Sequence, residues 1–304
     1  MKTKTSTLKQ MKRRWLLYLM VLPALASLLI FSYKPMYGLI IAFKDFNFRL
    51  GYLGSEWVGL EHFKRLVTSY WFPVIIKNTL TISLLSILIQ FPLPIIFAMF
   101  FNEVRQSKLK SVAQTVTYAP HFISTVVVCG MVISFLNPTS GIINKAIEFF
   151  GGDSIAFMQE TGAFKWIFVL SGVWVNTGWS TIIYTAALSS VDSELLEAAQ
   201  IDGANRWQRM WHINFPTLLP TVVIQLILTS GTLLNVGYEK TLLLQNTMNI
   251  GVSEVISTYV YRMGLINHDY SFSTAAGLLN SVVNVIVLTI VNGISKKVTE
   301  TGLF

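Results

Sequence analysis

Residues 194 to 216 read Glu194-Leu-Leu-Glu-Ala-Ala-Gln-Ile-Asp-Gly-Ala-Asn-Arg-Trp-Gln-Arg-Met-Trp-His-Ile-Asn-Phe-Pro216, a polar connector between two long apolar segments. The residues predict two short helices joined at a glycine. Asp192 or Ser193 can cap the first, Leu195, Leu196 and Ala199 give it an apolar side, and Gly203 tolerates the positive φ that a tight exit demands. In the second helix Trp207, Met210 and Trp211 fall at i, i+3 and i+4 and make one bulky face. A folded polar connector between spans points to an all-α, polytopic membrane protein.

Composition agrees. Of the 304 residues 53% are hydrophobic and 12% are charged, with a mean hydropathy of +0.56, against about 25% charged in soluble domains. The net charge of +8 does not indicate nucleic acid, because the basic residues are scattered at segment ends and no basic face with interleaved aromatics occurs. Cys129 is the one cysteine, and His62, His121, His212 and His268 lie far apart, so neither a disulfide framework nor a zinc-ligand spacing is present. The sequence also lacks a phosphate-binding Gly-x4-Gly-Lys-Ser/Thr loop and any catalytic constellation, so no catalytic residue and no metal ligand is assigned.

Six spans are expected, at about 15–33, 74–101, 112–136, 164–188, 215–236 and 273–294, within one transmembrane domain over 15–304 that follows a basic arm over 1–14. The small-residue run Ala24-Leu25-Ala26 would suit cleavage of a leader. The apolar run continues through Leu28 to Phe31, however, and is long enough to cross, so the first helix is expected to be retained. Connectors 1–14, 102–111, 189–213 and 295–304 hold 13 of the 23 Lys and Arg but 6 of the 15 acids, which places them and both termini in the cytoplasm. Pro92, Pro94, Pro120, Pro216 and Pro220 fall within or beside spans and are expected to kink them.

No Asp, Glu, Lys or Arg lies deep within a span, which argues against an ion- or proton-coupled secondary carrier. Neutral polar residues instead recur at helical spacing: Thr79, Ser83, Ser86 and Gln90; Thr177, Thr181 and Tyr184; Thr221, Gln225, Thr229 and Thr232; Ser273, Gly277, Asn280 and Asn284. Each stripe alone fits helix packing. Four together also suit a wet path for a neutral polyhydroxylated solute, with Gln225, Thr229, Asn280, Asn284, Gln90 and Tyr184 as its candidate lining. Trp174 and Trp179 could stack on sugar faces, although packing or interfacial roles suit span residues better. A membrane-embedded enzyme is the remaining alternative, and nothing in the residues supplies its chemistry.

The connector's spacing, Glu197-Ala198-Ala199, x3, Gly203, x9, Ile213, x, Phe215-Pro216, resembles the EAA loop of binding-protein-dependent ABC importer permeases, departing only in Phe215 for Leu. Pro35 to Asp45, Trp57 to Phe63 and Tyr259 to Gly277 are similar to segments of carbohydrate-uptake permeases, closest to those for oligosaccharides from complex polysaccharides. The resemblance implies a type I ABC importer transmembrane fold. It also implies coupling to an ATPase through Glu197, Ala198, Ala199, Gly203, Ile213 and Pro216. Implied partners are a second, related permease subunit in a heterodimer, two cytoplasmic ATPase subunits that carry ATP and magnesium, and an extracellular solute-binding protein that delivers an oligosaccharide. The implied setting is the plasma membrane of a bacterium.

Overall fold

The computed structural model describes residues 14–104, 106–299 and 302–303; residues 1–13 of the basic arm, and Arg105, lie outside them. In chain order the elements are α1 (Trp15–Phe43), β1 (Lys44–Asp45), β2 (Glu56–Trp57), α2 (Glu61–Thr68), α3 (Trp71–Glu103), α4 (Ser107–Phe122), α5 (Thr125–Phe135), α6 (Ile142–Phe149), α7 (Ala163–Leu188), α8 (Ser193–Ile201), α9 (Arg206–Ser230), α10 (Tyr238–Leu244), α11 (Ile250–Ser253), α12 (Ile256–Tyr261) and α13 (Tyr270–Thr299). Five of them, α1, α3, α7, α9 and α13, are long and apolar enough to cross a membrane. The bent pair α4–α5 makes a sixth span if it is counted as one.

Where helices depart from the expected spans, the cause is local. α1 continues past Tyr33 to Phe43, because a π turn at Leu29–Tyr33 already displaces the hydrogen-bond ladder where Pro35 has no N–H to give. α4 and α5 meet at 101°. Pro120 sits in the 3-10 turn that ends α4, and the Ser124 side chain accepts from Val127 N at 3.4 Å to cap α5 afresh. α9 starts at Arg206, so the connector's second helix runs straight into the span through a π turn at Met210–Asn214.

α9 also stops early, at Ser230, and the chain unwinds within the bundle. Irregular backbone survives there because neighbours replace the helical bonds. Asn284 Oδ1 on α13 accepts from Leu234 N at 3.0 Å, and Ser83 Oγ on α3 donates to Leu233 O. The following return segment, 231–269, packs into the core instead of lying outside it. Val236, Leu244 and Val255 join Ile82, Cys129, Phe164 and Phe168, while Leu234, Ile256 and Tyr259 join Leu66, Ile75, Phe272 and Ala276. A third cluster of Ile95, Ala98, Met99, Tyr184, Leu188, Met210 and Leu218 lies at the connector end. α3 threads all three clusters and is the spine of the bundle.

The apolar length of α1 has no buried residue until Ala42. After it, β1 and β2 pair Lys44 with Trp57 and Asp45 with Glu56. Lys44 Nζ donates to the carbonyls of Tyr52, Leu53 and Ser55 at 2.8, 3.1 and 3.2 Å, and Phe43 stacks on Trp57 at 5.8 Å. These contacts fold Phe43-Lys44-Asp45 and Trp57 to Phe63 into one small unit.

Candidate functional site: an exposed connector and a polar cavity

The connector is built from local rules. Asp192 Oδ1 accepts from Glu194 N at 2.9 Å and starts α8. At its end Ala204 N donates to Ala199 O at 2.8 Å and Gly203 N to Gln200 O at 3.1 Å, with Gly203 at φ +81°. This is a Schellman closure, in which the residue after the cap must be left-handed. Asn205 and Gln208 then form a reciprocal capping box that starts α9, each side chain bonding the other's backbone N–H at 2.9 and 2.7 Å. Arg209 donates to Ala204 O at 3.1 Å and locks the turn.

Having shaped α8 so closely, the described part of the chain buries none of it, with Leu196 and Ala199 half-covered. None of its residues is buried; Glu197 and Ala198 are exposed, and Ile201 is 87% exposed. Ala199, Gly203 and Ile213 line a concavity of about 320 Å³ between α8 and the start of α9, together with Arg209 and His212. Pro216 is exposed one turn further on. Of the bulky face only Met210 is buried, in the connector-end cluster, whereas Trp207 stands edge-on to Phe100 at 6.1 Å and Trp211 packs on Phe215 at 5.3 Å. The structure thus gathers five of the six candidate coupling residues on one exposed knuckle and leaves Pro216 at its base.

The second feature lies between α3, α7 and α9. Two adjoining cavities of about 200 and 270 Å³ share Ser86, Ile87, Gln90, Asn176 and Thr229 as walls. The one nearer the connector adds Gln225, Thr177, Ser180 and Tyr184; the farther one adds Ser83, Thr232, Asn235 and Lys240. Gln90 Nε2 donates to Val169 O at 3.1 Å, which leaves its second N–H and its carbonyl oxygen as hydrogen-bond capacity.

Four of the six candidate path residues therefore come together here: Gln90, Tyr184, Gln225 and Thr229. Asn280 and Asn284 do not. Both donate to Asn235 Oδ1, at 2.8 and 3.2 Å, and Asn284 also holds the unwound end of α9. They reach the cavity only through Asn235, which lines it. The α3 stripe is likewise divided: Thr79 accepts from Ile256 N at 3.0 Å and only anchors the return segment, Ser83 bonds Leu233 O and also lines the farther cavity, and Ser86 and Gln90 face both cavities. Trp179 stacks on His121 at 4.6 Å, and neither it nor Trp174 lines either cavity.

Sequence reasoning missed Asn176, Ser180, Asn235 and Lys240. The first two had a signal, because Gly172, Asn176 and Ser180 recur at i, i+4 and i+8 along α7 beside the stripe of Thr177, Thr181 and Tyr184. Lys240 had none. Its α10 reads as part of an external connector, yet α10 is folded back so that Nζ donates to Phe168 O at 2.6 Å and lies 4.3 Å from the Phe168 ring centroid. Burial lowers the pKa of the Lys240 ammonium to about 8, with Cys129 acting in the opposite direction.

Known proteins share this sequence and shape. Residues 90–300 match the family described as binding-protein-dependent transport system inner membrane component. The polygalacturonan/rhamnogalacturonan transport system permease protein of Bacillus subtilis (strain 168) is 43% identical over 303 residues, covering 100% of this chain and 94% of that one. Protein LplB of the same organism is 42% identical, covering 98% and 94%. The fold superimposes on a chain of a bacterial alginate ABC transporter, solved in complex with an alginate pentasaccharide-bound periplasmic protein, with a TM-score of 0.90, 40% identity and coverage of 98% and 99%.

Proposed function

Because the chain belongs to the family of binding-protein-dependent transport system inner membrane components, we propose that it is a permease subunit of an ABC importer that carries an oligosaccharide across the bacterial plasma membrane. The solute is delivered by an external binding protein. The observation that carries this reading is α8, a helix capped at both ends, with no buried residue and joined to a span by a hydrogen-bonded turn. A chain that shapes a surface so closely and buries none of it presents that surface to a partner. ATP binding and hydrolysis belong to that partner, an ATPase subunit on the cytoplasmic side, and Ala198 and Ala199 let it approach the helix closely. Both termini and the connector face the cytoplasm, consistent with the excess of Lys and Arg in those segments.

The cavity between α3, α7 and α9 is the solute path. Its hydroxyls and amides at Ser86, Gln90, Asn176, Gln225 and Thr229 are the donors and acceptors that sugar hydroxyls pair with. Among the described residues three spans line it, with Asn235 and Lys240 of the return segment at its outer end, and α1 leaves its apolar length uncovered, so a second permease subunit would supply the remaining wall and cover for α1. Reconstitution tests the reading. With its ATPase, partner permease and binding protein, the chain should support ATP-dependent oligosaccharide uptake that is insensitive to ionophores. Uptake driven by an ion gradient without ATP would establish a secondary carrier instead.

A further inference from the structure

Lys240 is the one feature of the path that a neutral sugar does not require. Ser86, Gln90, Asn176 and Thr229 are enough to pair with hydroxyls, and inserting an ammonium among them adds a desolvation cost that neutral groups avoid. Nothing in the cavity offsets that cost with an opposite charge. Among the described residues no carboxylate lines either cavity, and the buried acid of the return segment, Glu254, is engaged by Arg262 at 3.0 Å and Gln245 at 2.8 Å. The protein contacts of Nζ are neutral: the Phe168 carbonyl and the Phe168 ring. An ammonium has three donors, and the Phe168 carbonyl takes one. If Lys240 only clamped α10 to α7, an uncharged donor of similar reach would hold the same carbonyl at lower cost. The position is also informative, since Lys240 lies at the end of the path remote from the connector, where a solute arriving from outside meets the chain first.

We propose that Lys240 pairs with carboxylates of the transported solute and makes the outer end of the path selective for acidic, uronate-containing oligosaccharides. This rests on the importer reading and goes beyond it by assigning the charge of the solute and the residue that reads it. Asn235, held by Asn280 and Asn284, lines the same end of the cavity and is placed to bond a second oxygen of the sugar.

The test uses the reconstituted complex carrying Ser86→Cys on the cavity wall, with labelling by a small water-soluble thiol reagent counted over that of the parent. The probes are a galacturonic acid trisaccharide and its methyl ester, equal in length and different in charge. The acid should protect the cysteine at concentrations about ten-fold lower than the ester, the size of one charge-assisted hydrogen bond. Lys240→Gln should bring the acid to the level of the ester, and Lys240→Arg should restore the difference. Equal protection by acid and ester, no protection by either, or a preference unmoved in Lys240→Gln would each overturn the proposal. Thermal melting of both variants separates a lost contact from a lost fold: a Lys240→Gln protein that melts well below Lys240→Arg assigns the residue to the clamp and also overturns it. The importer reading fails separately, if the unmodified complex shows no ATP-driven uptake of acidic or neutral oligosaccharide.

Discussion

The connector at 192–216 and the return segment at 231–269 are both polar stretches between apolar spans, and they solve opposite problems. The connector satisfies its backbone within itself, through Asp192, the Gly203 closure and the Asn205–Gln208 box, and so can stand free of the bundle. The return segment depends on others. Besides its internal bonds, Thr79, Ser83, Asn78 and Asn284 on α3 and α13 hold its backbone, and its Val236, Leu244, Val255 and Ile256 fill two core clusters. A self-sufficient element can be offered to a partner and can move with it. An element satisfied by its neighbours is part of the wall of whatever those neighbours enclose.

The contrast is broken most severely at Glu254, which is almost wholly buried in the return segment against Arg262. Glu254→Leu leaves Arg262 and Gln245 without their acceptor, and the expected loss is about 3–5 kcal/mol. Melting of the detergent-purified protein should show a large drop, whereas Glu197→Leu in the connector should melt within a degree or two of the parent. Equal melting of the two variants would mean that the return segment is not the structural half of the pair.

A smaller effect of different kind is expected at Gly203. Nothing lies within 4 Å of a Cβ built there, so space is not the obstacle; the φ of +81° is. A β-branched residue in that conformation costs about 1–3 kcal/mol, equivalent to about 5- to 150-fold if drawn from docking. Gly203→Val should therefore lower co-purification of the ATPase and uptake together, with melting nearly unchanged because α8 buries nothing in the chain. Ala199→Trp, which fills the concavity beside α8, should do the same. Normal uptake in both variants would remove the coupling role from the connector.

The same contrast explains what was legible in the sequence. Caps, a left-handed glycine and i, i+4 periodicity are rules within a few residues, so both connector helices could be read from Asp192, Gly203 and Trp207 alone. The return segment has local caps as well, Thr258 Oγ1 accepting from Val255 N and Asn249 Oδ1 from Asn246 N, but its place in the bundle is set by distant partners. Its bonds to other elements join residues up to 204 positions apart, Arg65 to Asp269, with Thr79 to Ile256 at 177 the longest of those to α3, and Glu239-Lys240 reads as solvated loop until α10 is seen against α7. Polar stripes were legible as stripes but not by destination: Ser86 and Gln90 face the cavity, Ser83, one turn earlier, lines it and also anchors backbone, and Thr79, two turns earlier, anchors backbone alone. Periodicity assigns a face to a residue, and only the packing says what that face meets.

On the proposed importer reading, the cavity between α3, α7 and α9 carries the solute and the amides on α13 hold its wall. Single cysteines at Gln225 and Asn284 compare the two directly, using a small water-soluble thiol reagent on the reconstituted complex at rest and during ATP hydrolysis. Gln225→Cys should react, at a rate that changes with cycling, and Asn284→Cys should stay inert and mainly lower stability, because its amide is tied to Leu234 and Asn235. A Gln225→Cys that is inert in both states, or an Asn284→Cys that reacts and responds to ATP, would contradict this account and move the path to the α13 face.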